Sequence, residues 1–172
     1  LAQTGAHIKG SFLRGSANVA SPDGRVSVDD LQTAANEAKR KQPASGRSYV
    51  HHVRMPIQLD GRSVEDPVGM IGKKVELIYW SIEGDESAIR MNLDLAHNYG
   101  LEVADLILSS IASSTMVAGP DLRRAGVLVI DLGAGVTDLA LYRNGNVAYT
   151  GVIPVGGDHL TGDLSMGLRV LE

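Results

Sequence analysis

The 172-residue chain has no cysteine, one phenylalanine and one tryptophan. Without cysteine there is no disulfide framework and no thiolate metal or redox centre, and a reducing compartment is permitted. No run of 18 apolar residues occurs, so no membrane-spanning helix is expected. Charge of one sign is also lacking: 16 Lys and Arg stand against 20 Asp and Glu, a net charge of −4. That is too weak an imbalance for nucleic-acid binding, so no nucleic-acid partner is expected. The chain opens at Leu1 with no charged leader, so neither a signal peptide nor an ordinary start is expected. What remains is an ordinary folded composition, 44% hydrophobic and 21% charged, with 20 glycines. Its length matches about one average domain.

The charge is unevenly spread. Residues 1–62 hold 9 basic and 5 acidic side chains, net +4, and residues 63–172 hold 7 and 15, net −8. The break suggests two surfaces of opposite sign.

Local patterns predict alternating strands and helices. Residues 1–20 read as weak strands and loops, and Ser21-Pro22-Asp23-Gly24 as a turn. Ser27 is the expected N-cap of a helix, with Asp30 three residues on and Leu31, Ala34, Ala35 and Ala38 at helical spacing. Lys39-Arg40-Lys41 suits its C-terminus. Strands are expected over 49–59 and 74–82, with an Asp60-Gly61 turn and a loop over 64–72 between them. A helix over 87–99 stops at Gly100, a strand follows over 101–108, and a short helix runs from Ser109 or Ser110 towards Gly119. The continuous apolar run in 125–132 reads as a strand buried on both faces. Strands over 137–143 and 146–153 flank Asn144-Gly145, a strong hairpin signal, and a last helix covers 159–170.

The most informative segment is Asp131-Leu-Gly-Ala-Gly-Val-Thr-Asp138. A dinucleotide fingerprint would need a third glycine where Asp138 stands, and a helix where a strand follows. A Walker loop would need Gly-Lys-Ser/Thr, which is absent. The element is therefore strand, glycine turn, strand. Successive amides in such a turn suit phosphate oxygens, and glycine keeps Cβ atoms out of the way. Gly133 and Gly135 are the expected amide donors. Asp131 would hold a hydrated Mg²⁺ or orient a water, supported by Thr137 and Asp138. A plain hairpin is the competing reading. A second glycine pair, Gly156 and Gly157, opens the last helix, where amides can approach an anion.

Five segments in order resemble the bacterial FtsA family of actin-fold ATPases. They are Thr4-Gly-Ala-His-Ile8, Asp66-Pro-Val-Gly-Met-Ile-Gly72, the apolar-Ala-Ser-Ser run in 108–114, Asp131 to Asp138, and Ile153-Pro-Val-Gly-Gly-Asp-His-Leu-Thr-Gly-Asp-Leu164. Ala134 and Val136 depart from the family's usual Asp-Ile-Gly-Gly-Gly-Thr-Thr-Asp, and Val136 lacks a hydroxyl. The resemblance implies a partial actin-like α/β fold with the small inserted α/β domain characteristic of FtsA. Residues 1–6 would end the first-lobe core, 7–85 would form the inserted domain of one or two helices on a three-stranded sheet, 86–124 would return to the first lobe, and 125–172 would begin the second lobe with the phosphate hairpin. On this layout the charge break lies inside the inserted domain.

The resemblance further implies ATP and Mg²⁺ as ligands, with Asp131, Gly133, Gly135, Thr137, Asp138, Gly156 and Gly157 in the site, and weak or no ATPase activity. It implies self-association into filaments through the inserted domain. It also implies partnership with FtsZ and later division proteins, and a peripheral place at the cytoplasmic face of the membrane at the division site. The family's amino-terminal Asp-x-Gly phosphate motif, late adenosine-binding Gly-Gly segment and C-terminal amphipathic membrane helix are not found in this sequence. An internal piece of a protein over twice the length is therefore expected, and the piece alone should bind ATP weakly. Rival readings are an actin-like pilus-assembly scaffold and, third, a small-molecule kinase of the same fold.

Other constellations carry less. His51 and His52 are adjacent on a strand and point to opposite faces, which disfavours shared chelation. His7, His97 and His159 have no paired spacing. Glu65-Asp66 reads as turn capping, and the hydroxyl cluster of 109–115 lacks the G-x-S-x-G elbow of a nucleophile.

Overall fold

A computed structural model describes residues 1–170. Leu171 and Glu172, the end of the expected second-lobe segment, lie outside the described residues. The chain divides into two compact units. One comprises Leu1–Gly10, Ser45–His51 and the chain from Ile82 onward; the other comprises Ser11–Ala44 and His52–Ser81.

The second unit is built on strands β2 (Lys9–Asn18), β3 (Arg47–Arg54), β4 (Ile57–Leu59), β5 (Arg62–Val64) and β6 (Lys74–Asp85), with helix α1 (Val28–Lys39). Residues 9–10 of β2, 47–51 of β3 and 82–85 of β6 belong to the first unit. The order is β2-β6-β4-β5, with β3 also along β6. The sheet thus has five strands and one helix, where the resemblance implied three strands. The 49–59 run is one edge of β6, interrupted at Pro56, which has no N–H to give. Met55 still donates to Ile78 at 2.8 Å, and Gln58 resumes the ladder opposite Glu76. β5 follows from the turn at Asp60 and Gly61, whose φ values are 49° and 80°. The Asp60 carboxylate also accepts from the Lys73 and Lys74 amides.

Helix α1 starts as the sequence predicts. Ser27 caps Asp30, and Asp30 returns the bond to the Ser27 amide at 2.8 Å. Asp30 also accepts from the Ala20 amide. The Ser27 amide and hydroxyl, then the Ala20 amide, hold the Asp30 carboxyl below its ordinary range. The helix buries Ala34, Ala35 and Ala38. A Cβ added to Gly15 of β2 would fall 2.1 Å from the Ala34 carbonyl and 2.3 Å from the Ala38 amide. Strand and helix backbones therefore touch, which small residues alone permit. Leu13, Ile57, Leu59, Val75 and Leu77 fill the rest of this core.

The Asp66–Gly72 motif has a structural task. Asp66 accepts from the Val68 amide and Pro67 is fully buried. Gly69 and Met70 exchange backbone bonds with Val26, and Gly72 donates to Gly24. The loop thereby fixes the entry of α1.

In the first unit, β1 (Ala2–Gln3) pairs in parallel with β7 (Ile107–Leu108). The strand expected over 101–108 shrinks to two residues because β1 offers only two partners. Helix α2 (Glu86–Asn98) is capped by Asp85 and stops at Gly100, φ 72°. Helix α3 (Ser109–Val117) leads into α4 (Pro120–Ala125), a short helix that was not anticipated, with proline at its first turn. Then β8 (Val127–Leu132), β9 (Thr137–Arg143) and β10 (Asn146–Ile153) form an antiparallel sheet, followed by α5 (Gly157–Leu168). The Asn144-Gly145 hairpin is present, with φ 51° and 80°. The expectation of burial on both faces fails for β8. Val129 is buried towards α3, but Leu128, Ile130 and Leu132 are 50%, 59% and 62% exposed, since no described element covers that face.

One clasp stands out in this unit. Arg47 donates to the carbonyls of His7 and Glu83 and pairs with the Glu83 carboxylate at 3.0 Å. His7 accepts from the Asp85 amide, and its ring lies against Gly5 and Gly84. His7 is thus a structural acceptor.

Gly15→Ala is expected to destabilise the chain by about 3 kcal/mol, the upper range for overpacking. Gly119→Ala, where a Cβ meets nothing within 4 Å, should change stability little. Urea denaturation of both variants checks this; equal midpoints would contradict the packing described.

Candidate functional site

Strand β8 delivers Asp131 to its end and β9 begins at Thr137, so residues 133–136 must reverse the chain. The Gly133 amide closes the turn on the Val136 carbonyl at 3.0 Å. Neither Gly133 nor Gly135 has positive φ, so left-handed backbone is not why glycine stands there. Space is. A Cβ on Gly133 would meet the Val136 carbonyl at 3.0 Å, while one on Gly135 would enter open space.

The second glycine turn packs directly onto the first. A Cβ on Gly156 would lie 2.3 Å from the Ala134 carbonyl and 2.5 Å from that of Gly133. The Gly157 and Asp158 amides donate to those same two carbonyls, each at 2.9 Å. Thr137 is buried and its hydroxyl donates to the Val155 carbonyl at 2.7 Å. The Gly156 amide is taken by His159 Nδ1 at 3.1 Å, which gives His159 a capping task.

These bonds orient the first turn. In a trans peptide the C=O and the following N–H point in opposite directions. With the Gly133 and Ala134 carbonyls turned towards α5, the amides of Ala134 and Gly135 face the other way. Neither donates to an acceptor among the described residues. The turn therefore presents two adjacent outward amides, the arrangement that receives an anion. They come from Ala134 and Gly135, whereas the amides of Gly133, Gly156 and Gly157 are engaged internally.

Two carboxylates lie beside the turn. Asp131 and Asp138 are register partners across β8 and β9, so their side chains share a face. Asp131 Oδ2 accepts from Ser113 Oγ at 2.7 Å and, more weakly, from Ser109 Oγ at 3.4 Å. Asp138 is 3% exposed; its Oδ2 accepts from Thr4, and its buried Oδ1 has no partner among the described residues. Burial holds the Asp138 carboxyl above its ordinary range, the Thr4 hydroxyl acts in the opposite direction, and the facing Asp131 adds to the rise. Among the described residues no three His, Cys, Asp or Glu side chains are grouped to hold a metal ion.

The structure brings all seven expected site residues into this pair of turns and the strands beside them. It adds Thr4, Ser109 and Ser113, which sequence reasoning passed over. Their only signal was membership of the Thr4–Ile8 and Ala-Ser-Ser segments; contact with the carboxylates depends on the β1–β7 pairing.

Since folded Asp138 keeps its proton to higher pH than the unfolded chain does, its contribution to stability falls as pH rises through and just above the ordinary carboxylate range. Asp138→Asn, which can still accept from Thr4, should flatten that part of the stability–pH curve and be the more stable form at neutral pH. Parallel curves from thermal melts between acid and neutral pH would contradict this.

Comparison with known proteins matches two separate segments of the chain. The family model described as the SHS2 domain inserted in FTSA matches residues 5–82, and that of cell division protein FtsA matches residues 128–171. The chain is 32% identical over 166 residues to cell division protein FtsA of Neisseria meningitidis serogroup B, covering 96% of this chain and 40% of that protein. It is 29% identical over 166 residues to FtsA of Bacillus subtilis, covering 96% and 38%. It is 29% identical over 173 residues to FtsA of Borreliella burgdorferi, covering 100% and 42%. The chain thus spans about two fifths of the length of these relatives. Among solved structures, a chain of the PilM-PilN type IV pilus biogenesis complex matches with a TM-score of 0.53 at 17% identity, over 94% of this chain and 44% of that one. The fold is therefore part of the actin-like fold, and the chain belongs to the FtsA family of cell division proteins.

Proposed function

We propose that this chain is the nucleotide-sensing segment of an ATP-binding, actin-like division protein. The observation that carries the reading is the pair of outward amides of Ala134 and Gly135, aimed by the bonds from α5 and set beside Asp131. The residues fit the group. The amides suit phosphate oxygens, and the open space at Gly135 is where a Cβ would intrude. A single half-buried carboxylate suits Mg²⁺, which keeps most of its water and takes few protein ligands. When bound, the cation would supply charge neutralisation at the phosphates.

In this reading Asp131 orients the cation through water, and Thr137, Gly156 and Gly157 brace the turn. Asp138 packs behind Asp131. Val136 brings no hydroxyl to the turn, which supports weak or absent hydrolysis. Residues 1–6 and 86–124 serve as first-lobe core, 7–85 as the inserted domain and 125–172 as the start of the second lobe. The inserted domain carries self-association into filaments. FtsZ and later division proteins are the partners, and the membrane is reached through a helix elsewhere in the whole protein. No helix among the described residues is long and apolar enough to cross a membrane. A second reading, an actin-like pilus scaffold, is compatible with the fold shared with the PilM-PilN structure.

In the full-length protein, Gly135→Val is expected to weaken ATP binding at least about tenfold, ~1.4 kcal/mol, with an unchanged melting temperature. Gly156→Ala, which meets backbone, should lower both. Fluorescent-nucleotide titration with thermal melts decides: a folded Gly135→Val protein that binds ATP normally overturns the site. Co-sedimentation of the full-length protein with FtsZ is expected. Capture of a pilus-protein tail instead would establish the second reading.

A further inference from the structure

The hydroxyl cluster on α3 is divided by what it touches. Ser110 and Ser114 are buried and bond to backbone: Ser110 Oγ donates to the Leu139 carbonyl, and Ser114 Oγ to the Ser110 carbonyl. Thr115 Oγ1 donates to the Ala112 carbonyl. These are the ordinary ways a helical hydroxyl is satisfied. Ser109 and Ser113, four residues apart and so on one face of the helix, instead reach out to one carboxylate. Ser113 makes the short bond, 2.7 Å to Asp131 Oδ2.

That carboxylate needs holding. Asp131 faces Asp138 across the strand pair, and like charges directly opposite repel. Left alone, Asp131 would turn away from Asp138 or fluctuate between rotamers. Thr4 secures Asp138, and Ser113 secures Asp131. With Oδ2 taken by Ser113, Asp131 Oδ1 has no hydrogen-bond partner among the described residues. A hydrogen bond to a carboxylate is stronger than one between neutral groups, so this hydroxyl sets the rotamer more firmly than a neutral contact would.

We infer that Ser113 is a positioning residue that fixes Asp131 with one oxygen turned to the cation of a bound nucleotide. The inference rests on the ATP–Mg²⁺ reading of the site. It assigns to Ser113 the coupling between cation and nucleotide affinity, and it assigns no direct contact with nucleotide. Partners that orient a directly ligating group typically matter by about ten- to a hundredfold in metal affinity, and the lower end is expected for a carboxylate that acts through water.

The test uses the full-length protein and titrates a fluorescent ATP analogue with excess Mg²⁺ and with EDTA, beside thermal melts. Wild type is expected to bind more tightly with Mg²⁺. Ser113→Ala should leave the EDTA affinity within about twofold and lose about tenfold of the Mg²⁺-dependent gain. Ser113→Thr, which keeps the hydroxyl, should restore most of it; Ser113→Cys, close in size but a weak donor, should not. A Ser113→Ala protein with the wild-type Mg²⁺ gain overturns the inference alone. So does an equal loss with and without Mg²⁺ that tracks a lower melting temperature in both Ala and Cys variants. Wild-type protein with no ATP affinity overturns the nucleotide reading, and this inference with it.

Discussion

A peptide group cannot aim its carbonyl and its amide in the same direction. The candidate site depends on that constraint. The first amides of α5 take the carbonyls of Gly133 and Ala134, so the amides of Ala134 and Gly135 are left facing outward. Gly156 makes this possible because any Cβ there would strike the same two carbonyls. Thr137 ties the two turns a second time through Val155. The glycines of the two turns thus have different tasks. Gly135 borders open space, Gly156 makes way for a neighbouring backbone, and Gly133 for its own turn.

The same economy of space recurs in the second unit. Gly15 lets β2 touch the backbone of α1, and Gly72 sits where a Cβ would fall 2.3 Å from Leu59. A chain with one phenylalanine and one tryptophan builds most of its core from small and aliphatic residues, with Tyr79, Trp80 and Tyr142 as its buried aromatics. The Asp66–Gly72 loop fits this pattern: its backbone bonds to Val26 and Gly24 hold the capped start of α1 in place. Its part in the protein is to fix the entry of α1 and so the shape of the second unit.

What was legible in the sequence was what is local. The Ser27–Asp30 capping box, the Asn144-Gly145 hairpin and the Gly100 stop each depend on a few neighbouring residues, and each is present. Elements whose existence needs a distant partner were misjudged. Residues 101–106 lack a strand because β1 is short, Pro56 splits an edge that continues along β6, and β5 exists only as the second arm of the Asp60-Gly61 hairpin. The apolar run of β8 predicted a layer on each face, and one face is bare among the described residues. The glycine motif itself was legible, but the direction of its amides was not. That direction is set by a helix more than twenty residues away, just as the Asp131 carboxylate is bonded by Ser113 and the Asp138 carboxylate by Thr4, both distant in sequence.

Membership of the FtsA family and the actin-like fold rest on matches along nearly the whole chain. The strap from α5 leaves two amides facing outward, and on the proposed reading they receive a phosphate. Residue-resolved amide hydrogen exchange on the full-length protein, with and without ATP and Mg²⁺, tests it most directly. The Gly157 and Asp158 amides should be protected in both states, and those of Ala134 and Gly135 should exchange freely until nucleotide is added and slow markedly after. Ala134 and Gly135 amides that are indifferent to nucleotide, with slowing confined to Gly156 and Gly157, would contradict the account.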